Sequence, residues 1–271
     1  MADKALYRLT HGDVAAHRQR VAWLETVRDR VVAIAAHYPP EHHVPPHHHS
    51  RAQLLHIANG VIMVQTASGR WMVPPGHAVW IPAGVEHWLD MLGAVSMQSV
   101  YVTQGAGAPL SSGLVVVGLT PLMEALLPEA VAADVSPAED SRDAHVLALL
   151  LDEISRLPSR SLGLPFPSDP RLSRLCHAFV RHPSPRTNID DWADRLGMSR
   201  RSFTRAFHRQ TGMSLALWRQ QACLLAALPR LTDGESITNV AVDLGYESVP
   251  AFTTMFKRML GAPPSLYMRR Q

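Results

Sequence analysis

Between Asn188 and Arg258 one local pattern is written twice, and that duplication restricts the fold more than any other feature of the chain. In the first copy Asn188 precedes an acidic turn (Asp190, Asp191), an apolar stripe through Trp192, Ala193 and Leu196, and a terminating Gly197. Ser199 then opens a second helix in which Phe203 and Phe207 stand one turn apart, with arginines on the remaining faces. The second copy runs Ser236 to Gly245, then Ser248 onward with Phe252 and Phe256 at the same spacing. Each copy reads as a helix-turn-helix. Ser214 to Leu231 reads as one connecting helix with Leu215, Trp218, Ala222, Leu225 and Ala226 on its apolar side. Its length is about 27 Å at 1.5 Å per residue, close to the roughly 34 Å between successive major-groove faces of B-DNA. Pro229 should kink or end that helix.

The charge distribution follows the same division. Residues 1–170 carry eleven Lys and Arg against sixteen Asp and Glu, a net of −5, while 171–271 carry fifteen against seven, a net of +8. A basic C-terminal domain of this kind fits a polyanion partner. In its first recognition helix Arg201, Thr204, Arg205 and His208 share one face beside Arg200. In the second, Ser248, Pro250, Thr253, Thr254 and Lys257 lie outward, a less basic face suited to methyl and phosphate contacts. These ten residues are the candidate DNA contacts.

At 271 residues the chain has room for two domains. No apolar run is long enough to cross a bilayer, and Met1 to Arg8 lacks the basic head and apolar stretch of an export signal, so a cytoplasmic protein is expected. Cys176 and Cys223 lie in predicted helices without CxxC spacing and read as packing residues.

From His37 to Met97 the pattern changes to short strand-like runs broken by Pro and Gly, which suggests an antiparallel barrel or sandwich. Residues 20–36 fit a helix or a strand equally. Pro121 to Ala133 and Asp140 to Arg156 read as helices, the second with a leucine stripe wide enough to imply a partner helix. The segment 164–170 reads as a proline-stiffened linker, and Arg171 to Arg181 as the first helix of the basic domain.

The Gly-Met-Ser-Arg-Arg turn at 197–201, Thr211-Gly212, Leu244 to Ser248 and the Gly261-Ala262-Pro263-Pro264 exit make the last hundred residues resemble the AraC/XylS family of bacterial transcription regulators. The resemblance implies base reading at Arg201, Thr204 and Arg205; many relatives have arginine where Thr254 stands. Pro46-His47-His48-His49, Gln53, Gly60, Gly76, Pro82-Ala83-Gly84 and His87 resemble the two cupin motifs, with Gln53 in place of the usual glutamate. The chain is thus expected to be α+β: a cupin-like antiparallel β-barrel (1–112), dimerisation helices (113–163), a linker (164–170) and an all-α double helix-turn-helix (171–271).

His47, His49, Gln53 and His87 are the candidate effector site. Three imidazoles and an amide would also suit Zn, Ni, Cu or Fe, so a divalent transition metal is an alternative occupant. Trp71, Trp80, Trp88 and Met91 alternate with these positions and are candidates for the cavity wall or for ordinary core. The function expected is a regulator that binds double-stranded promoter DNA as a homodimer under control of a small molecule or metal, with RNA polymerase as a further candidate partner. A metal-dependent cupin enzyme fused to a DNA-binding domain and a ligand-independent regulator are the rivals; the missing glutamate argues against the enzyme.

Overall fold

Two long strands, β3 (Ala52–Thr66) and β6 (His87–Val102), pair antiparallel along almost their whole length and form the spine of the N-terminal unit. The computed structural model describes residues 14–106, 110–160 and 162–268, with side chains from Gln19 onward. The segment Met1 to Arg8, expected to carry no export signal, lies outside the described residues. The chain divides into two compact units, the first reaching Ser161 apart from residues 68–70, the second comprising those three and Leu162 onward.

The spine bends where its register shifts, between Ile57 and Val61. Gly60 makes the bend possible. Its φ is +81°, and a Cβ there would lie 2.3 Å from the Ala94 carbonyl oxygen, so the two backbones approach more closely than any side chain allows. Beyond the bend β2 (His43–His47) pairs with the first half of β6, while β1 (Val31–Tyr38) pairs with its second half. On the other edge β5 (His77–Ile81) pairs with β3, β7 (Val115–Gly118) with β5 and β8 (Ser159–Arg160) with β7; β4 (Gly69–Val73) returns along β3. The strands are antiparallel, as expected. The sheet is not closed: its main path runs β1-β6-β3-β5-β7-β8 with different strands at its two ends, where the sequence suggested a barrel.

Helix α1 (Val14–Thr26) precedes β1, which resolves the ambiguity over residues 20–36 into a helix followed by a strand. Helices α2 (Pro121–Ala132) and α3 (Arg142–Ile154) start at the Thr120 and Ser141 caps, whose side chains accept from Met123 and Ala144 backbone N–H groups. Met123, Leu126, Leu127, Leu147, Leu150 and Ile154 pack on the sheet face formed by Val31, Leu54, Trp80 and Val100. The wide leucine stripe of α3 is therefore mostly consumed within the chain. Leu147 and Leu150 are buried against the sheet and do not form the free seam expected for a partner helix; Leu149 on α3 and Leu122 on α2 are the exposed leucines. Trp80 also belongs to this helix-covered core, not to the wall of a histidine-lined cavity.

The second unit opens with a short extended segment, β9 (Gly163–Pro165), and continues as α4 (Pro170–Arg181), α5 (Ile189–Arg195), α6 (Arg200–Thr211), α7 (Leu215–Thr232), α8 (Ile237–Asp243), α9 (Val249–Leu260) and α10 (Pro264–Met268). Asn188, Ser199, Ser214, Ser236 and Ser248 cap α5 to α9 in turn. Helix α7 passes through Pro229 and ends at Thr232, so the proline does not stop it. Burial of Leu228 and Leu231 holds this last turn, which Thr232 Oγ1 to Leu228 O (2.9 Å) and Asp233 N to Pro229 O (2.9 Å) close.

Candidate functional site

The duplicated sequence builds two aromatic cores, and each core fixes a recognition helix. Trp192 on α5 sits with its ring centroid 6.2 and 6.3 Å from Phe203 and Phe207 of α6, 5.7 Å from Phe179 of α4 and 6.2 Å from Trp218 of α7. In the second copy Tyr246, Phe252, Phe256 and Tyr267 form a chain of rings at 5.3, 5.9 and 5.6 Å. The turns between paired helices pass through Gly197 (φ +65°) and Gly245 (φ +79°), a backbone state that residues with a Cβ avoid.

With the phenylalanines turned inward, the opposite faces are left to solvent. Arg200, Arg201, Thr204, Arg205 and His208 on α6 are all exposed, as are Ser248, Pro250, Thr254 and Lys257 on α9, with Thr253 half-buried. Some of these side chains are already engaged. Thr204 Oγ1 donates to Arg200 O (2.8 Å), Arg200 lies 3.5 Å from Asp190, and Ser248 caps its helix. Arg201 and Arg205 thus combine exposure with the guanidinium fork that reads guanine. The buried Cys176 and Cys223 thiols are pushed up to about 12 and about 11 by desolvation, which keeps them as unreactive thiols.

In the first unit His47, His49 and His87 converge although only two of them lie on strands: the ring centroids are 4.3 Å (47 to 87), 5.3 Å (49 to 87) and 6.2 Å (47 to 49) apart. Desolvation holds all three below the ordinary imidazole range, His47 at about 4 and His87 at about 3, so the rings are neutral. Each Nδ1 donates to a carbonyl two residues away, His47 to Pro45 (2.9 Å), His49 to Arg51 (2.5 Å) and His87 to Val85 (2.8 Å). That fixes one tautomer, with Nε2 as an acceptor. The Gln53 amide lies 3.1 Å from His49 Nε2, 2.9 Å from Ser99 Oγ and 3.1 Å from Tyr101 OH. A neutral His49 needs a donor at Nε2, so donor counting turns the amide NH₂ to the ring and leaves the amide oxygen to accept from both hydroxyls.

Gln53 and His49 are spent on one another and on Ser99 and Tyr101, and among the described residues no group of three or more His, Cys, Asp or Glu could hold a metal ion. The four residues do form one cluster. A separate pocket of about 270 Å³ opens elsewhere on the unit, against Trp80, Pro82, Val102, Leu151 and Ile154, and none of the four lines it.

The sequence reading missed Arg20, Tyr38, Ser99 and Tyr101. Arg20 on α1 is 2% exposed and donates through Nη1 to Tyr38 OH at 3.1 Å. The signal available was its position one turn before Leu24, on the face that buries.

Comparison with known proteins agrees with this division of labour. Residues 192–270 match a family described as a helix-turn-helix domain, and residues 30–107 match the AraC-like ligand binding domain. The HTH-type transcriptional regulator NimR of Escherichia coli K12 is 31% identical over 222 residues, 82% of this chain and 81% of NimR. The chain belongs to the AraC family of transcription regulators. SoxS, a regulatory protein of the same organism, is 37% identical to this AraC-family chain over 84 residues, 31% of this chain and 78% of SoxS. The crystal structure of ToxT from Vibrio cholerae O395 covers 89% of this chain and 97% of its own, at 12% identity and a TM-score of 0.37. Membership makes the AraC-like protein a DNA-binding regulator with a ligand-binding domain, and the family is one of regulators, not enzymes. Among the described residues no helix is long and apolar enough to cross a membrane.

Proposed function

We propose that this regulator binds double-stranded promoter DNA through the outer faces of α6 and α9, with Arg201 and Arg205 reading base edges and Lys257 holding phosphate, and that an organic effector at the cluster of His47, His49, Gln53 and His87 modulates this binding in the cytoplasm. The observation that carries the DNA reading is the exposure of one polar face on each recognition helix while the phenylalanines of both are buried. For the effector, support comes from the cost of burying polar rings. His87 is fully buried, and its Nε2 has no hydrogen-bond partner among the described residues. A homodimer is part of the proposal, supported by the exposed Leu122 and Leu149 on neighbouring helices.

The test is selection from randomised duplexes with the full chain, followed by anisotropy titrations of the enriched duplex in rising salt. An enriched motif whose affinity falls steeply with salt is expected; failure to enrich any motif, or salt-independent binding, contradicts the DNA reading. For the effector, His47→Ala with His49→Ala should abolish ligand-dependent change in DNA affinity. A double variant that still responds fully places the effector elsewhere.

A further inference from the structure

A buried arginine normally spends its five N–H donors on carbonyls or a carboxylate. Arg51 does so: it is 3% exposed, gives Nη1 to Asp29 O at 2.8 Å and Nη2 to Val27 O, and has the Glu25 and Asp29 charges near it. Arg20 is equally buried and does not. Its hydrogen bond goes to the neutral Tyr38 hydroxyl, and its Nε and Nη2 have no hydrogen-bond partner among the described residues. A guanidinium keeps its positive charge inside proteins, so this side chain is a desolvated cation with three of its five donors, those on Nε and Nη2, lacking a partner among the described residues, an arrangement that is strongly unfavourable when nothing neutralises it.

The unused atoms are not scattered. Nε and Nη2 form one edge of the planar fork, the edge whose two parallel N–H bonds match the two oxygens of a carboxylate. The surroundings are those of the sensing cluster. Tyr38 fixes the opposite side of the fork. The Arg20 charge is felt at both Tyr101 and His47, and His47 in turn lies 4.3 Å from His87, whose buried Nε2 is an acceptor lacking a donor. One cation lacking an anion and one acceptor lacking a donor therefore occur in the same connected set of side chains, and a single small molecule with both groups answers both.

We infer that Arg20 is the anion-reading residue of the sensing cluster and that its ligand is a small organic carboxylate, bound side-on to Nε and Nη2, with a hydroxyl that donates to His87 Nε2. The inference rests on the assignment of the histidine cluster as the effector site. It gives that site a charge requirement: the free acid anion binds, and the isosteric amide does not.

The experiment is thermal unfolding of the full chain with glycolate, lactate and 3-hydroxybutyrate, each against its amide, with propanoate, inorganic phosphate and chloride as controls, for wild type, Arg20→Met, Arg20→Lys and His47→Ala/His49→Ala. At least one hydroxycarboxylate should raise the wild-type transition temperature by several degrees, its amide should not, and the rise should vanish in Arg20→Met and shrink in Arg20→Lys, which keeps the charge without the fork. Without ligand Arg20→Met should unfold at a higher temperature than wild type, because the unpaired charge is gone. Several results overturn the inference: no carboxylate stabilises the wild type; phosphate or chloride does so equally; or Arg20→Met unfolds at a lower temperature, which means the guanidinium is already paired within the chain. Amide and carboxylate stabilising equally, with both effects lost in the double histidine variant, overturns the role of Arg20 and leaves the cluster as effector site. A carboxylate effect that needs Arg20 and survives the double histidine variant removes the histidines from the site and overturns the joint assignment.

Discussion

Acid should unfold the N-terminal unit through its own histidines, and the size of the effect follows from their burial. His87 is fully buried and is held at about 3, well below the ordinary 6.5, first by desolvation and then by the neighbouring His47. His47, partly exposed, is held at about 4 for the same leading reason. Both folded values lie below the unfolded one, so as pH falls through 6.5 the unfolded chain takes up protons that the folded chain refuses. The stability contribution is complete above pH 6.5 and is lost progressively toward pH 4 and then pH 3. At pH 5.5 the unfolded form of His87 is about nine-tenths protonated, and the loss from that residue is about 1.4 kcal/mol. His47 adds a smaller loss in the same direction, because water reaches it in the folded state. For a unit of this size each kcal/mol moves the midpoint by about 2–4 °C. His49, His56 and His77, which burial also holds below the ordinary range, add losses in the same direction. Calorimetry of the full chain at pH 7.5 and 5.5 should show the midpoint of the N-terminal transition falling by at least that much, and His87→Gln, which cannot titrate, should remove the His87 share of the fall, about 1.4 kcal/mol. A midpoint that does not move, or a His87→Gln variant with the wild-type pH dependence, refutes the account of a desolvated neutral cluster.

Leu147→Glu with Leu150→Glu should abolish folding of the first unit, at a cost above about 3 kcal/mol, since both side chains are core; circular dichroism and sedimentation will show unfolded chain, not folded monomer. Gly60→Ala should destabilise strongly, because its Cβ meets the Ala94 carbonyl at 2.3 Å, whereas Gly84→Ala, at a similar φ of +76° with open space around it, should cost only about 1–2 kcal/mol in chemical denaturation. Arg205→Ala should weaken the preferred duplex by about 1–3 kcal/mol and relax one base pair of the selected motif, while Lys257→Ala should weaken all duplexes alike, measured by competition titration.

The C-terminal unit was legible in the sequence because its information is local. Caps at Asn188, Ser199, Ser236 and Ser248, glycines at 197 and 245, and phenylalanines one turn apart specify helices, their ends and their buried faces within a dozen residues, so the exposed faces of α6 and α9 followed by elimination. The N-terminal strands were legible as strands for the same reason. What joined them was not. His87 reaches His47 only through the β2 to β6 register, and Leu54-Leu55 and Val61-Ile62 become one strand only because Gly60 lets the Ala94 backbone approach. The surroundings of Gln53 are equally nonlocal: Ser99 and Tyr101, some fifty residues downstream, engage its amide. Leucine spacing on α3 gave the buried face, but not that α2 and the sheet of the same chain cover it, since periodicity reports that a surface is covered and not by what. Arg20 was hidden for the converse reason. Its place one turn before Leu24 marks a burying face, but that the arginine is unpaired there depends on which tertiary neighbours supply a carboxylate, and here none of the described ones does.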